Sequence, residues 1–178
     1  MINPAVSPWC MMTDPIQPPV ARAQMLIRRS VSEVFTAFID PAVTTHFWFT
    51  RGSGRLEAGS RVTWEWEMYG VSTQVDVKEV EENRRILVEW DGPDRPTSVE
   101  WTFEPQGDDF TFVTVRNWGF HGDPDAVVAA AIDSMGGFSL LLAGLKAFLE
   151  HGIQLHLVED HAPDALVGSW TPRPWPPE

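Results

Sequence analysis

The feature that most constrains this chain is a change of hydrophobic period near residue 120. Between residues 62 and 117, apolar and polar residues alternate in five segments separated by short turns, as in half-buried strands. Over about 124–151 the apolar residues recur instead at helical spacing, and that face carries Phe138, Leu141, Leu142, Leu145, Phe148 and Leu149. Because an antiparallel sheet with one apolar face needs a cover, we predict an α+β fold in which this helix supplies it.

The segment before these strands predicts one more strand and two short helices. Residues 20–28 alternate as a strand, and Ser30 with Glu33 forms a capping box that starts a helix. Asp40 and Pro41 end that helix and suit the start of a second one, placed at about 41–49. The predicted order is therefore strand, two short helices, strands and one long helix.

The chain divides into a central domain and two arms. Residues 1–19 form a proline-rich N-terminal arm, 20–152 the domain, and 153–178 a C-terminal extension with a proline-rich end. Gly152 is the expected C-terminal cap of the long helix, and residues 153–158 predict either a further helical turn or a short added strand. Gly136 and Gly137 interrupt the helical sequence and predict a kink or a close approach to the sheet.

Charge and composition exclude several classes of function. The formal net charge of -12 disfavours binding to nucleic acid or to an anionic membrane surface. The single cysteine, Cys10, cannot form an internal disulfide, and no stretch is expected to span a bilayer. No basic residue precedes Arg22, unlike in a signal peptide, so a cytoplasmic location is expected.

Two motifs resemble the helix-grip superfamily, which contains START and Bet v 1-like proteins (SRPBCC). The first is Val34-Phe35-Thr36-Ala37-Phe38-Ile39-Asp40-Pro41 followed by Phe47-Trp48-Phe49, and the second is Gly137-Phe138 with Leu145-Lys146-Ala147-Phe148-Leu149-Glu150. They are similar to the branch homologous to the C-terminal domain of the activator of Hsp90 ATPase. The resemblance covers about 20–152. It implies a curved antiparallel sheet of six to seven strands wrapped on the long C-terminal helix, and an internal cavity.

The aromatic residues predict the lining of that cavity. Nine tryptophans and ten phenylalanines stand beside one tyrosine, and rings in this number can either line a pocket or fill a core. The predicted function is binding of a small apolar or aromatic molecule, without cofactor or metal. The predicted ligand-binding residues are Trp48, Trp64, Trp66, Met68, Trp90, Trp101, Phe103, Asn117, Phe138, Leu141, Leu142 and Leu145.

Other residues leave alternative functions open. His46 is a candidate acid or base, which would suit a cyclase or hydrolase acting on an apolar substrate; no residue is assigned as catalytic. His151, His156 and His161 recur every five residues, a poor spacing for metal ligands on one helix. A protein-interaction (cochaperone-like) module, acting on a chaperone or on a second copy of the chain as a homodimer, would instead need an exposed apolar patch, for which Trp9, Trp170 and Trp175 are candidates.

Overall fold

The computed structural model describes residues 18–90 and 95–172, so the predictions for Trp9 and Trp175 lie outside the described residues. Seven strands form one antiparallel sheet in the order β1-β7-β6-β5-β4-β3-β2. They are β1 Ala21–Ile27, β2 Arg51–Gly52, β3 Arg61–Trp66, β4 Val71–Glu81, β5 Arg85–Trp90, β6 Thr97–Pro105 and β7 Thr111–Trp118. The helices are α1 Val31–Ile39, α2 Pro41–Thr44, α3 Pro124–His151 and α4 Leu157–Asp160. The predicted α+β helix-grip fold is confirmed.

Alternation along the strands buries one face of the sheet. In the register of β6 with its neighbours, Trp101 lies opposite Ile86 and Val115, and all three side chains are buried. Helix α1 packs on the same strand, where the rings of Phe35 and Phe38 contact Phe103 edge-on at 5.3 and 5.4 Å between centroids. The core therefore lies between the sheet and the helices.

The corner between α1 and α2 is fixed by side-chain caps. Ser30 and Glu33 form the predicted capping box, and the Asp40 carboxylate accepts from the Ala42 N–H at 3.0 Å. The buried Thr44 hydroxyl donates to the carbonyl of Ala37 at 2.7 Å. Helix α2 ends at Thr44, so the prediction that it continues to residue 49 is wrong: the chain turns there and directs Phe47 and Phe49 into the core.

Helix α3 has the predicted ends. The Asp123 carboxylate caps its first turn through the Ala126 N–H at 2.9 Å, and Gly152 ends it with φ +67°. The helix continues without interruption through Gly136 and Gly137, and a Cβ at either position would meet nothing within 4 Å. The predicted close approach at this glycine pair is wrong, because the close approach is made by Gly144.

Two further sequence predictions need correction. Helix α3 is long enough and apolar enough to cross a membrane, by length and composition only. The expectation that no stretch of the chain could span a bilayer is therefore not met by this helix. Core helices pass the same test, and α3 contributes Phe138, Leu141 and Leu142 to the core. Residues 153–158 form no strand and do not extend α3, since α4 begins only at Leu157.

The C-terminal half of α3 is attached to β1 by the side chain of Glu150, which is 6% exposed. Its carboxylate accepts from the Arg28 backbone N–H at 2.7 Å and from Lys146 Nζ at 2.5 Å, while Lys146 also donates to the Leu26 carbonyl at 2.8 Å. Burial alone would raise the pKa of Glu150, but these hydrogen bonds outweigh burial and the pKa lies below its ordinary value.

We expect Glu150→Gln to lower the free energy of unfolding at pH 7 by about 2 kcal/mol, because charge-assisted hydrogen bonds are lost. The lowered pKa means that the carboxylate contributes stability above the unfolded-state pKa of about 4.3, and that this contribution disappears as the pH falls through the folded-state pKa. Urea unfolding of both proteins between pH 7 and pH 3 measures this. Glu104→Gln at an exposed position is the control; a pH-independent difference contradicts the prediction.

We expect Gly144→Ala to destabilise the protein by about 1–3 kcal/mol, because the added Cβ would lie 3.2 Å from both Cβ and O of Phe47. Gly136→Ala lies in open space on the same helix and should stabilise it by up to about 1 kcal/mol through helix propensity. Thermal unfolding of the two variants checks the pair. Equal stabilisation by both substitutions would show that Phe47 moves away without cost.

Candidate functional site

An open cleft of about 820 Å³ lies between the N-terminal half of α3 and the sheet. Its aromatic walls are formed by Trp48, Trp66, Trp90 and Phe138. Helix α3 contributes Ala130, Ser134 and Gly137 in addition to Phe138. One face of α3 therefore forms the roof of the cleft over two helical turns. The segment after α3 closes one end of the cleft with Val158, His161, Ala162 and Ala165.

Trp48 stands at the border between the cleft and the packed core. Its ring contacts Trp64 at 4.7 Å and Trp101 at 5.9 Å on the core side. On the cleft side it contacts Trp66 at 5.9 Å and Trp90 at 6.0 Å, and it reaches Phe138 of α3 at 6.2 Å. These centroid distances are typical of favourable aromatic pairs. One side chain from the turn after α2 therefore joins the sheet to the helix.

The structure divides the twelve predicted ligand-binding residues between the cleft and the core. Five line the cleft, namely Trp48, Trp66, Trp90, Asn117 and Phe138. Six others are buried in the core, namely Trp64, Trp101, Phe103, Leu141, Leu142 and Leu145. Met68 is also buried, in a 3-10 turn over Glu67–Tyr69 rather than on a strand.

A buried amide supplies the polar part of the cleft. Asn117 is 1% exposed, and its Nδ2 donates to the Ser98 carbonyl at 2.9 Å. The Ser134 hydroxyl of α3 donates to Asn117 Oδ1 at 2.7 Å, which joins the helix to β7. Sequence reasoning missed Ser134, although its i, i+4 spacing from Phe138 places the two side chains on one helix face.

In the part of the chain that the structure describes, two buried indole nitrogens lack a hydrogen-bond acceptor. Among the side-chain N and O atoms in residues 18–90 and 95–172, those buried without a partner are Nε1 of Trp90 and Nε1 of Trp101. Buried polar groups are normally paired, so each missing bond has a free-energy cost. Trp101 belongs to the core, whereas Trp90 forms part of the cleft wall.

Titratable side chains also line the cleft, but His46 is not among them. Arg95, His121, Asp133 and His161 contribute to the lining. His46 stacks on Phe148 at 4.5 Å between ring centroids, and its Nδ1 contacts the side-chain amide of Gln154. The candidate acid or base chosen from the sequence therefore lies outside the cleft.

The C-terminal extension is attached to the domain through Tyr69, and a buried carboxylate joins residues within the extension. Glu159 accepts from Trp170 Nε1 at 2.7 Å and lies 3.3 Å from His156 Nδ1. The Tyr69 hydroxyl donates to the carbonyl of Val158, and burial raises the pKa of Tyr69. Because Trp170 is half-buried and hydrogen-bonded, it does not form the exposed patch considered for it from the sequence.

The histidines and acids of the described residues have separate surroundings. Within the two described ranges, no three His, Cys, Asp or Glu side chains could hold a metal ion together. The three histidines that recur every five residues have different surroundings: His151 is exposed, His156 faces Glu159, and His161 lines the cleft.

Solved structures with the same fold include proteins of several organisms. The protein SSP2350 from Staphylococcus saprophyticus is 27% identical, with a TM-score of 0.64 over 77% of this chain and 96% of its own. The Aha1 dimer from Colwellia psychrerythraea is 19% identical, with a TM-score of 0.63 over 75% of this chain and 98% of its own. An Hsp90 activator from Plasmodium falciparum is 13% identical, with a TM-score of 0.59 over 73% and 95%.

The sequence itself matches one family model. No curated protein matches the chain. The model described as Activator of Hsp90 ATPase homolog 1-like protein matches residues 28–150, which is more than half of the chain and includes both motifs noted in the sequence. The chain therefore belongs to the family of Activator of Hsp90 ATPase homolog 1-like proteins.

Proposed function

We propose that this protein binds a small apolar or aromatic molecule in the cleft beside α3. The observation that carries the proposal is the pairing of aromatic walls with the buried amide of Asn117 in a space of about 820 Å³. Small-molecule sites in proteins commonly have such volumes, with apolar walls and a few placed polar atoms. Membership of a family with the helix-grip fold is consistent with this role but does not determine it.

The lining indicates the chemistry of the ligand. Trp90 and Phe138 stack at 5.9 Å between centroids, and with Trp48 they offer ring faces and edges to a planar molecule. The Ser134 hydroxyl donates to Asn117, and its oxygen retains lone pairs that can accept from a ligand hydroxyl. An aromatic molecule with one hydroxyl group therefore fits both the walls and the polar end.

The alternative is an enzymatic role, which is supported by the titratable side chains that line the cleft. A cyclase or hydrolase acting on an apolar substrate would need an acid or base at the cleft, and Asp133, His121 and His161 are placed there. His46 is a weaker candidate because its ring lies against Phe148. Mass analysis of a bound probe before and after incubation separates binding from turnover.

Cochaperone activity, dimerisation and a cytoplasmic location remain predictions for this chain. The relatives include an Hsp90 activator and an Aha1 dimer, which makes a cochaperone-like role and a homodimer reasonable to test. Size-exclusion chromatography with light scattering measures the oligomeric state directly. A pull-down with Hsp90 tests the cochaperone-like role.

We expect Gly137→Leu to weaken binding of 2-naphthol at least about tenfold, equivalent to about 1.4 kcal/mol, because its side chain would project into the cleft. Gly136→Leu is the matched control: it introduces the same side chain one position along α3, where the residue does not line the cleft. Both substitutions should preserve or raise stability through helix propensity. Isothermal titration calorimetry measures the affinity, and thermal unfolding confirms the fold.

The two variants make the proposal easy to contradict. Failure of the wild-type protein to bind any member of a panel of hydroxylated naphthalenes and biphenyls would remove the proposed function. An equal loss of affinity in the Gly136 and Gly137 variants would place the bound probe elsewhere on the protein.

A further inference from the structure

One arginine in the lining of the cleft has no ion pair with any residue that the structure describes. Most lysines and arginines in 18–90 and 95–172 lie within 4.0 Å of a carboxylate, as Arg51 does with Glu65. Arg22 and Arg95 form no such pair within these ranges. Arg22 is exposed on the outer face of β1, whereas Arg95 lines the cleft. In a protein with a net charge of -12, a guanidinium without a carboxylate partner at a cleft is available to an anionic group of a ligand.

The strand register places this arginine opposite a histidine. Continuing the antiparallel register of β6 with β7 beyond its last pair brings Arg95 level with His121. The two chains stay close there, because a Cβ on Gly119 would lie 3.6 Å from the carbonyl oxygen of Pro96. Arg95 and His121 both line the cleft, and we call them its basic end. Guanidinium and imidazole groups both donate hydrogen bonds, so this end suits an acceptor.

The basic end lies apart from the buried amide of the cleft. Asn117 precedes His121 by four residues, and four extended residues span up to about 13 Å. Ser134 lies at the level of Asn117, because its hydroxyl donates to the amide oxygen. Asp133, which also lines the cleft, adjoins Ser134 and is therefore near the amide rather than near Arg95. The cleft thus has a hydrogen-bonding end and a basic end.

We propose that the ligand of the cleft is a planar aromatic molecule that carries a carboxylate, and that Arg95 binds this carboxylate. This inference rests on the function proposed above and adds the charge of the ligand. Trp90 pairs with Thr97 of β6 and so lies between the levels of Asn117 and His121, where its ring wall extends from one end toward the other. The guanidinium fork matches the two oxygens of a carboxylate, and one arginine balances one negative charge.

The acids around the cleft leave the charge of Arg95 uncompensated. Asp123 and Asp125 stand at the start of α3 but do not line the cleft, and the Asp123 carboxylate accepts from the Ala126 N–H. Exposed charges farther away than about 8 Å are largely screened at physiological ionic strength, so the overall negative charge has little effect within the cleft. The local arginine therefore determines the potential at the basic end.

Calorimetric titration of the full chain with 6-hydroxy-2-naphthoic acid and with 6-hydroxy-2-naphthamide tests this assignment, because the two molecules share a shape and differ in charge at pH 7. We expect the acid to bind at least about tenfold more tightly than the amide. Arg95→Gln should remove this preference by weakening binding of the acid alone, and its unchanged affinity for the amide would show that the fold is intact. Arg95→Lys should keep part of the preference, because it retains the charge without the fork.

Arg22→Gln is the matched control, since it makes the same change in net charge on the outer face of β1 and should leave both affinities unchanged. A preference for the acid that weakens with added NaCl and disappears in Arg95→Gln supports the carboxylate site. Equal binding of acid and amide, or a preference that survives in Arg95→Gln, overturns this inference and leaves the proposed function standing. A preference lost equally in Arg22→Gln assigns it to net charge and also overturns the inference. Binding of neither molecule, and of no member of the hydroxylated panel, removes both.

Discussion

The packing of Trp48 between the sheet and α3 is the contact on which the site depends. Its indole touches rings from three strands and the ring of Phe138, so it fixes the distance between the helix and the sheet at one point. On one side of this point, Leu141, Leu142 and Leu145 of α3 are fully buried in the core. On the other side the helix and sheet separate, and the cleft occupies the space. The side chain of Trp48, in the turn after α2, therefore determines where the packed core ends and the cleft begins.

The two halves of α3 consequently have different roles. The C-terminal half is fixed by buried leucines, by Glu150 against Arg28 at the end of β1 and by Gly144 against Phe47. The N-terminal half exposes most of its residues and is held at Asn117 by Ser134. Because local stability follows the number of buried contacts, the cleft roof belongs to the less firmly held part of the helix. Such an arrangement suits a site that must admit a ligand.

Sequence periodicity predicted the fold well because each element carries a local signal. The capping box at Ser30, the Asp123 and Gly152 caps and the alternating strands each act within a few residues, and the structure preserves them. Periodicity predicts which face of a strand or helix a side chain lies on, but it does not predict how deeply that side chain is buried. Trp64 and Trp66 share a face of β3, yet Trp64 is fully buried among the rings of Trp48, Phe49 and Trp101, whereas Trp66 is half-buried and lines the cleft. The contact of Ser134 with Asn117 and the contact of Tyr69 with Val158 join distant segments, which no local pattern encodes.

The family match ends at residue 150, but the cleft does not. Val158, His161, Ala162 and Ala165 form one end of it, and the Tyr69 hydroxyl holds their segment to the domain through the Val158 carbonyl. Part of the wall that a bound molecule would touch is thus encoded outside the portion of the chain shared with the family. Two members with near-identical shared domains but different tails would present differently shaped entrances, so under the proposed function an exchange of the tail would change ligand preference while the domain stays unchanged.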